Sequence, residues 1–172
     1  SSITIGNFLL PGLIKKFTTA HPNMNVKASV HNSSYIEESI LNNRIDFALI
    51  EGIPESSQII RDPFMNDRLC LICGTSHPLA SRSTVLLSEL EQHNFILREP
   101  GSGGREILES LLTGFQIHLN AAWESVSTQA IVKAVAEGLG ISILPYLLVA
   151  DDIKNGIVLE KEVEGISLSR KF

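Results

Sequence analysis

Only two cysteines occur in the 172 residues, Cys70 and Cys73, and no second pair exists to complete a zinc site. They lie in the apolar run RLCLICG, which reads as a strand. Positions three apart on a strand face opposite sides, so a bridge or a shared metal is geometrically awkward and core packing is expected. Positive charge is also short. Fourteen Lys and Arg against 19 Asp and Glu leave a formal net charge of −5. Gripping a phosphate backbone takes clustered Lys and Arg, so this chain is not expected to hold nucleic acid by itself. No apolar run approaches the ~20 residues of a membrane span. No signal peptide is visible, and the abrupt start leaves room for an upstream segment.

Catalytic signatures are missing too. The five histidines (His21, His31, His77, His93 and His118) show no i,i+4 pairing and no HExxH, which argues against a metal site. No GxSxG elbow surrounds any serine. The run GSGGRE at residues 101–106 lacks the Lys-Ser/Thr of a P-loop. It also has Glu106 where the dinucleotide fingerprint wants its third glycine. No catalytic residue, metal or cofactor is therefore assigned.

What is present is a globular composition, 44% hydrophobic and 19% charged. The length suits one domain or two small lobes, able to bury about 70% of the unfolded chain's surface. After a short entry, Leu9, Leu10, Leu13, Ile14 and Phe17 share a helical face, with Pro11 in the tolerated first turn. Val26, Ala28 and Val30 alternate as a strand. Ser34 and Glu37 form a capping-box pattern for a helix burying Ile36, Ile40 and Leu41. Residues 47–50 read as a buried strand closed by Glu51-Gly52. Two extended stretches follow, at residues 59–64 and 69–73, then a loop at 76–80 and a short helix at 86–90. A second set comes after: a strand at 95–97, a helix through residue 112 and a strand near 117–124. Ser127 then caps a helix over residues 128–137, and Gly138 ends it. A strand at 141–144, a short helix at 146–152 and extended pieces at 157–160 and 166–172 close the chain. Alternation of this kind predicts α/β architecture in two lobes.

One stretch organises the functional reading. FILREPGSGGREILESLL, residues 95–112, runs strand, glycine-rich turn, helix. The free N–H groups of a helix's first turn and its dipole make such a start an anion receptor, with Arg98 and Arg105 close by as forked donors. The plainer alternative is an ordinary strand-to-helix loop with Ser102 as N-cap. Ligands in such sheets sit at the carboxyl ends of strands. Ser2 and Thr4 from the first lobe then face Ser102, Gly103, Gly104, Arg105, Ser127 and Thr128 from the second, a set suited to a small anionic ligand.

The order of these features resembles the effector-binding domain of LysR-type transcriptional regulators, over nearly the whole chain. Residues 5–26 (IGNFLLPGLIKKFTTAHPNMNV) look like that family's first helix and following strand. Residues 41–49 (LNNRIDFAL) look like its "gel/Dlal" strand entry and 64–69 (FMNDRL) like its inter-lobe crossing. Residues 76–80 (SHPLA) resemble its HPLA loop, and 134–145 (AVAEGLGISILP) its VaaGlGIallP block. The form LREPGSGGRE looks most like a branch that includes carbon-fixation and sulfur-responsive regulators.

The resemblance implies two Rossmann-like lobes of the type 2 periplasmic-binding-protein-like kind, joined by two crossing strands. Residues 1–67 with 159–172 would form lobe I, and residues 68–158 lobe II. A small effector would bind between them, at Ser2, Thr4, Ser102–Arg105 and Ser127–Thr128, with Glu51 a weaker carry-over. The resemblance also implies a homodimer of regulatory domains, a cytoplasmic tetramer, and DNA binding by an N-terminal winged helix-turn-helix absent from this chain. Three departures stand out. Gly104 replaces the branch's usual Thr. Glu51 would repel an anion unless an arginine neutralises it. The chain begins after the family's first strand and stops before its final helix, which would leave a sheet edge unpaired. The other readings are an extracytoplasmic solute-binding protein of a transporter, with the same two-lobed plan, and a lyase or transferase using Glu51 as its acid or base.

Overall fold

The apolar run around the two cysteines becomes the strand on which the second lobe is built. In the computed structural model, which describes residues 1–54 and 56–172, β1 spans Asn66–Gly74. Its side chains alternate as the period of two requires. Leu69, Leu71 and Cys73 enter one core with Phe95, Leu97, Leu108 and Leu112, while Cys70 and Ile72 enter a second with Ile96, Ile131, Val132 and Val135. The cysteines are both free and buried on opposite faces, as expected from their spacing.

The remaining strands are β2 (Thr84–Leu86), β3 (Asn94–Arg98), β4 (Asn120–Ser125), β5 (Ser142–Pro145), β6 (Val158–Glu164) and β7 (Ser169–Lys171). Sheet order is β2-β6-β1-β5, with β7 also on β1 and a separate parallel pair β3-β4. A bridge between Phe95 and Ile141 joins that pair to the end of β5. The ladder is mixed: β5, β6 and β7 run antiparallel to β1, and β2 parallel to β6. β1 therefore does two jobs. Residues 71–74 pair with β6 inside the second lobe, whereas residues 66–68 pair with β7 as the two crossing strands. The lobe boundary expected at 158/159 falls at the start of β6, whose ladders to β1 and β2 lie in the second lobe's sheet.

The helices are α1 (Ile3–Phe8), α2 (Leu10–Ala20), α3 (Ser33–Leu41), α4 (Gly103–Gly114), α5 (Thr128–Ala136) and α6 (Tyr146–Lys154). Short 3-10 turns at Pro78–Ser81 and Leu87–Gln92 replace the expected loop and short helix. Leu108 and Leu112 of α4 pack on one face of the sheet; Ile131, Val132 and Val135 of α5 pack on the other. Ser127 accepts from the Ala130 N–H and caps α5 as expected, and Gly138 takes a φ of 79° at its end.

The first lobe departs from the sequence reading. Residues 26–30 and 47–50 are extended but carry no ladder among the described residues. Only Ser1 and Ser2 lie between them: the Ser1 ammonium donates to Ser29 O, His31 N–H to Ser1 O, and Ser2 N–H to Leu49 O. Phe47, expected buried, is 76% exposed. The helical stripe on α2 forms, yet α2 buries none of its residues. α3 is capped by Asn32, whose Oδ1 accepts from the Tyr35 N–H, so the helix starts ahead of the Ser34 capping box. Of its expected core residues, Ile36 is buried and Leu41 is exposed.

Among the described residues no helix is long and apolar enough to cross a membrane. Burial pushes the Cys70 thiol up to about 12 and raises that of Cys73 as well. Neither is expected to react with an aromatic disulfide reagent at pH 8 in the folded protein, and both should react in urea. At Gly140 an added Cβ would sit 2.4 Å from the Asn94 carbonyl oxygen, where β3 meets the lead-in to β5. Gly140→Ala is expected to cost about 1–3 kcal/mol in urea unfolding.

Candidate functional site

α4 opens without a side-chain cap. Ser102 stands at its N-cap position with extended backbone, φ −76° and ψ 121°, but its hydroxyl makes no capping hydrogen bond. The amide donors of the first turn are thus left for something else. Glycines bring the first lobe against this opening. Gly101, at φ +84°, turns the chain, and its carbonyl accepts from the Ser34 N–H at 3.2 Å. Ser34 Oγ donates to Glu106 Oε1 at 3.1 Å. At Gly103 a Cβ would lie 2.6 Å from Ser33 Oγ and 2.9 Å from the Glu51 carbonyl oxygen. Any larger residue there would force the lobes apart.

A cavity of about 10 Å³ remains between them, room for one water. Of the expected site residues, Ser2, Glu51, Arg98, Ser102 and Gly103 line it, together with Ile3, Asn32 and Ser33. Ser33 is 7% exposed, and its Oγ is buried with no hydrogen-bond partner. Buried hydroxyls are almost always satisfied, so this one marks a place for a polar guest. The sequence hid it, because a capping-box reading centred on Ser34 treats its neighbour as a solvent-facing residue. Arg98 is 6% exposed; its Nε and Nη2 donate to the Glu99 carboxylate, and its Nη1 makes no hydrogen bond among the described residues.

The other expected residues lie elsewhere. Arg105 is already held: its Nε donates to Glu109, and its Nη1 to Glu124 at 2.6 Å and to Arg98 O at 2.7 Å. Ser127 is occupied as the α5 cap. Thr128 Oγ1 is buried without a partner, but Thr128 does not line the cavity. Gly104 packs toward Arg170, with the nearest guanidinium atom 3.5 Å from where a Cβ would be. Thr4 is fully buried; its N–H donates to Glu51 Oε1 at 3.0 Å.

Glu51 is the electrostatic centre. Its Oε1 accepts from Ser2 Oγ at 3.0 Å and from the Thr4 N–H. Its Oε2 accepts from Arg170 Nη1 at 2.5 Å. Arg170 also holds Asp67, Nε to Oδ2 at 2.7 Å. An arginine does therefore compensate Glu51, and it comes from β7, the returning crossing strand. Neither Arg170 nor Asp67 was picked out by sequence, since each acts only through contacts 103 or more residues apart.

A larger groove of about 750 Å³ lies in the first lobe and shares no residue with the cavity. Its walls include Phe47, Ile53 and Ile60, all largely exposed. Among the described residues no group of three His, Cys, Asp or Glu could hold a metal ion.

The family described as LysR substrate binding domain matches residues 1–172. The chain is 37% identical over 163 residues to the uncharacterized HTH-type transcriptional regulator YeiE of Escherichia coli K12, covering 95% of this chain and 55% of the relative. It is 29% identical over 172 residues to the HTH-type transcriptional regulator CysL of Bacillus subtilis, covering all of this chain and 58% of the relative. It thus spans little more than half of these relatives' length. Among solved structures, the Synechocystis CcmR regulatory domain in complex with 2-PG superposes with a TM-score of 0.86 at 27% identity, over 99% of this chain and 82% of that one.

Arg170→Met would leave two buried carboxylates facing one another without a cation. Loss of about 3–5 kcal/mol is expected, measured by urea unfolding of the variant against the parent.

Proposed function

The chain belongs to the LysR substrate-binding-domain family, and on that footing we propose that it is the effector-sensing unit of a transcriptional regulator. A small anionic metabolite binds between the lobes at the uncapped start of α4. There the amides of the first turn, Ser102, Arg98 Nη1 and Ser33 Oγ supply donors. The observation that carries this reading is the buried, partnerless Ser33 hydroxyl facing Gly103. The cavity holds no more than a water as it stands, so entry requires the lobes to part at the crossing strands, residues 66–68 and 169–171. The effector then favours one lobe arrangement by its differential affinity, and a coupling of about 1–3 kcal/mol suffices to bias the protein.

In this reading the DNA contact belongs to a helix-turn-helix in the part of the relatives that this chain does not cover. The regulatory domains form a homodimer within a tetramer, and the protein works in the cytoplasm without catalysing a reaction. The relatives' names, regulators rather than transporter binding proteins, favour this over the solute-binding alternative. The ligand in the CcmR domain supports a small-molecule effector. As a general acid or base Glu51 is poorly placed, because Ser2, Thr4 and Arg170 already engage its carboxylate.

The test is thermal unfolding of the full-length protein against sulfate, sulfite, phosphate, phosphorylated sugars and neutral metabolites. A ligand at one hundred times its dissociation constant adds about 2.7 kcal/mol. Ser33→Ala should leave the unliganded stability within about 0.5 kcal/mol and lose most of the ligand-induced shift. Arg105→Ala, outside the cavity, should keep that shift. Stabilisation by neutral ligands alone would overturn the charge argument.

A further inference from the structure

The two sides of the cavity are not alike. Arg98 Nη1, the first amides of α4 and the hydroxyls of Ser33 and Ser102 offer hydrogens. Ser2 and Glu51 present the reverse. Ser2 spends its one hydroxyl hydrogen on Glu51 Oε1 and keeps only lone pairs for a guest. Glu51 lines the cavity at 6% exposure, and a carboxylate can accept about four hydrogen bonds. Three are taken, two on Oε1 and one on Oε2, so one acceptor site remains.

The charge around Glu51 points the same way. One arginine, Arg170, serves both Glu51 and Asp67, so the buried triad keeps a net charge of −1. A guest oxygen with only lone pairs turned to Glu51 meets a carboxylate that is hydrogen-bonded but not neutralised. A guest O–H turned there instead makes a charge-assisted hydrogen bond. We propose that Glu51 makes the cleft selective for anions that carry a proton of their own, hydrogen oxyanions or hydroxy acids, over aprotic anions of the same size. This deepens the cleft-anion reading above and rests on it. The guest's charged end lies on α4 and Arg98, its hydroxyl on Glu51.

Two matched probe pairs test the proposal on the full-length protein by titration calorimetry. Phosphate and sulfate are both tetrahedral, but only phosphate keeps a proton at neutral pH. Glycolate and acetate are small carboxylates differing by one hydroxyl. The expected result is that phosphate and glycolate each bind about tenfold or more tighter than their partner. Glu51→Gln, whose amide can meet either kind of guest, should bring both ratios below about threefold. Ser2→Ala keeps the charge and frees a second acceptor site on Glu51, so it should hold or widen the ratios. Ser33→Ala should weaken both members of a pair alike. Wild-type ratios near one, ratios unchanged in Glu51→Gln, or ratios that narrow in Ser2→Ala overturn the proposal. If none of the four probes binds, or if binding ignores Ser33→Ala, the cleft-anion reading itself fails and this inference falls with it.

Discussion

Arg170 ties the first lobe to the two crossing strands. Its guanidinium, 1% exposed, lies between Glu51 of the first lobe and Asp67 of the outgoing crossing strand, while its own backbone belongs to the returning one. Removing one cation and two anions from water costs several kcal/mol per ion, and mutual attraction recovers that only when the geometry is good. Here further hydrogen bonds complete it: Glu51 also takes Ser2 Oγ and the Thr4 amide. The cluster therefore fixes three things together. These are the position of the α1 start, the register of β7 against β1, and the charge presented to the cavity.

Around that point the two lobes are held very differently. The second is a mixed sheet with helices packed on both faces, organised by the alternation along β1, and its core side chains are nearly all fully buried. It is a rigid platform for the start of α4. The first lobe has helices and extended segments without a ladder among the described residues, and its α2 face is open. Contact between lobes at the cavity rests on glycines and a few hydrogen bonds, chiefly Ser34 to Gly101 and Glu106.

Whether such a cleft can take a polar guest depends on which groups its own partners leave unsatisfied. The structure keeps Ser33 Oγ and the α4 amides uncommitted, while it spends Arg105, Ser127 and most of Glu51 on internal partners. A polar residue close to a ligand site in sequence is thus a poor guide to binding. What matters is whether its hydrogens and lone pairs are already used.

Sequence alone was enough for the architecture of the second lobe. A strand alternates with period two and a helix with period 3.6, so RLCLICG, ILESLL and the run capped by Ser127 announce their form and their buried faces locally. The glycine-rich start of α4 was equally legible, because a turn followed by a helix needs those residues wherever it lies. The first-lobe strands were not: residues 26–30 and 47–50 have strand character, but a strand exists only through its neighbour, and no ladder joins them among the described residues. Tertiary structure alone decided the site. It turned Arg105 away to Glu109 and Glu124, brought Ser33 against Gly103, and delivered Arg170 from 119 residues down the chain to Glu51. Hydrogen bonds and charges act through space, and no pattern read along the chain records which of them will be spent.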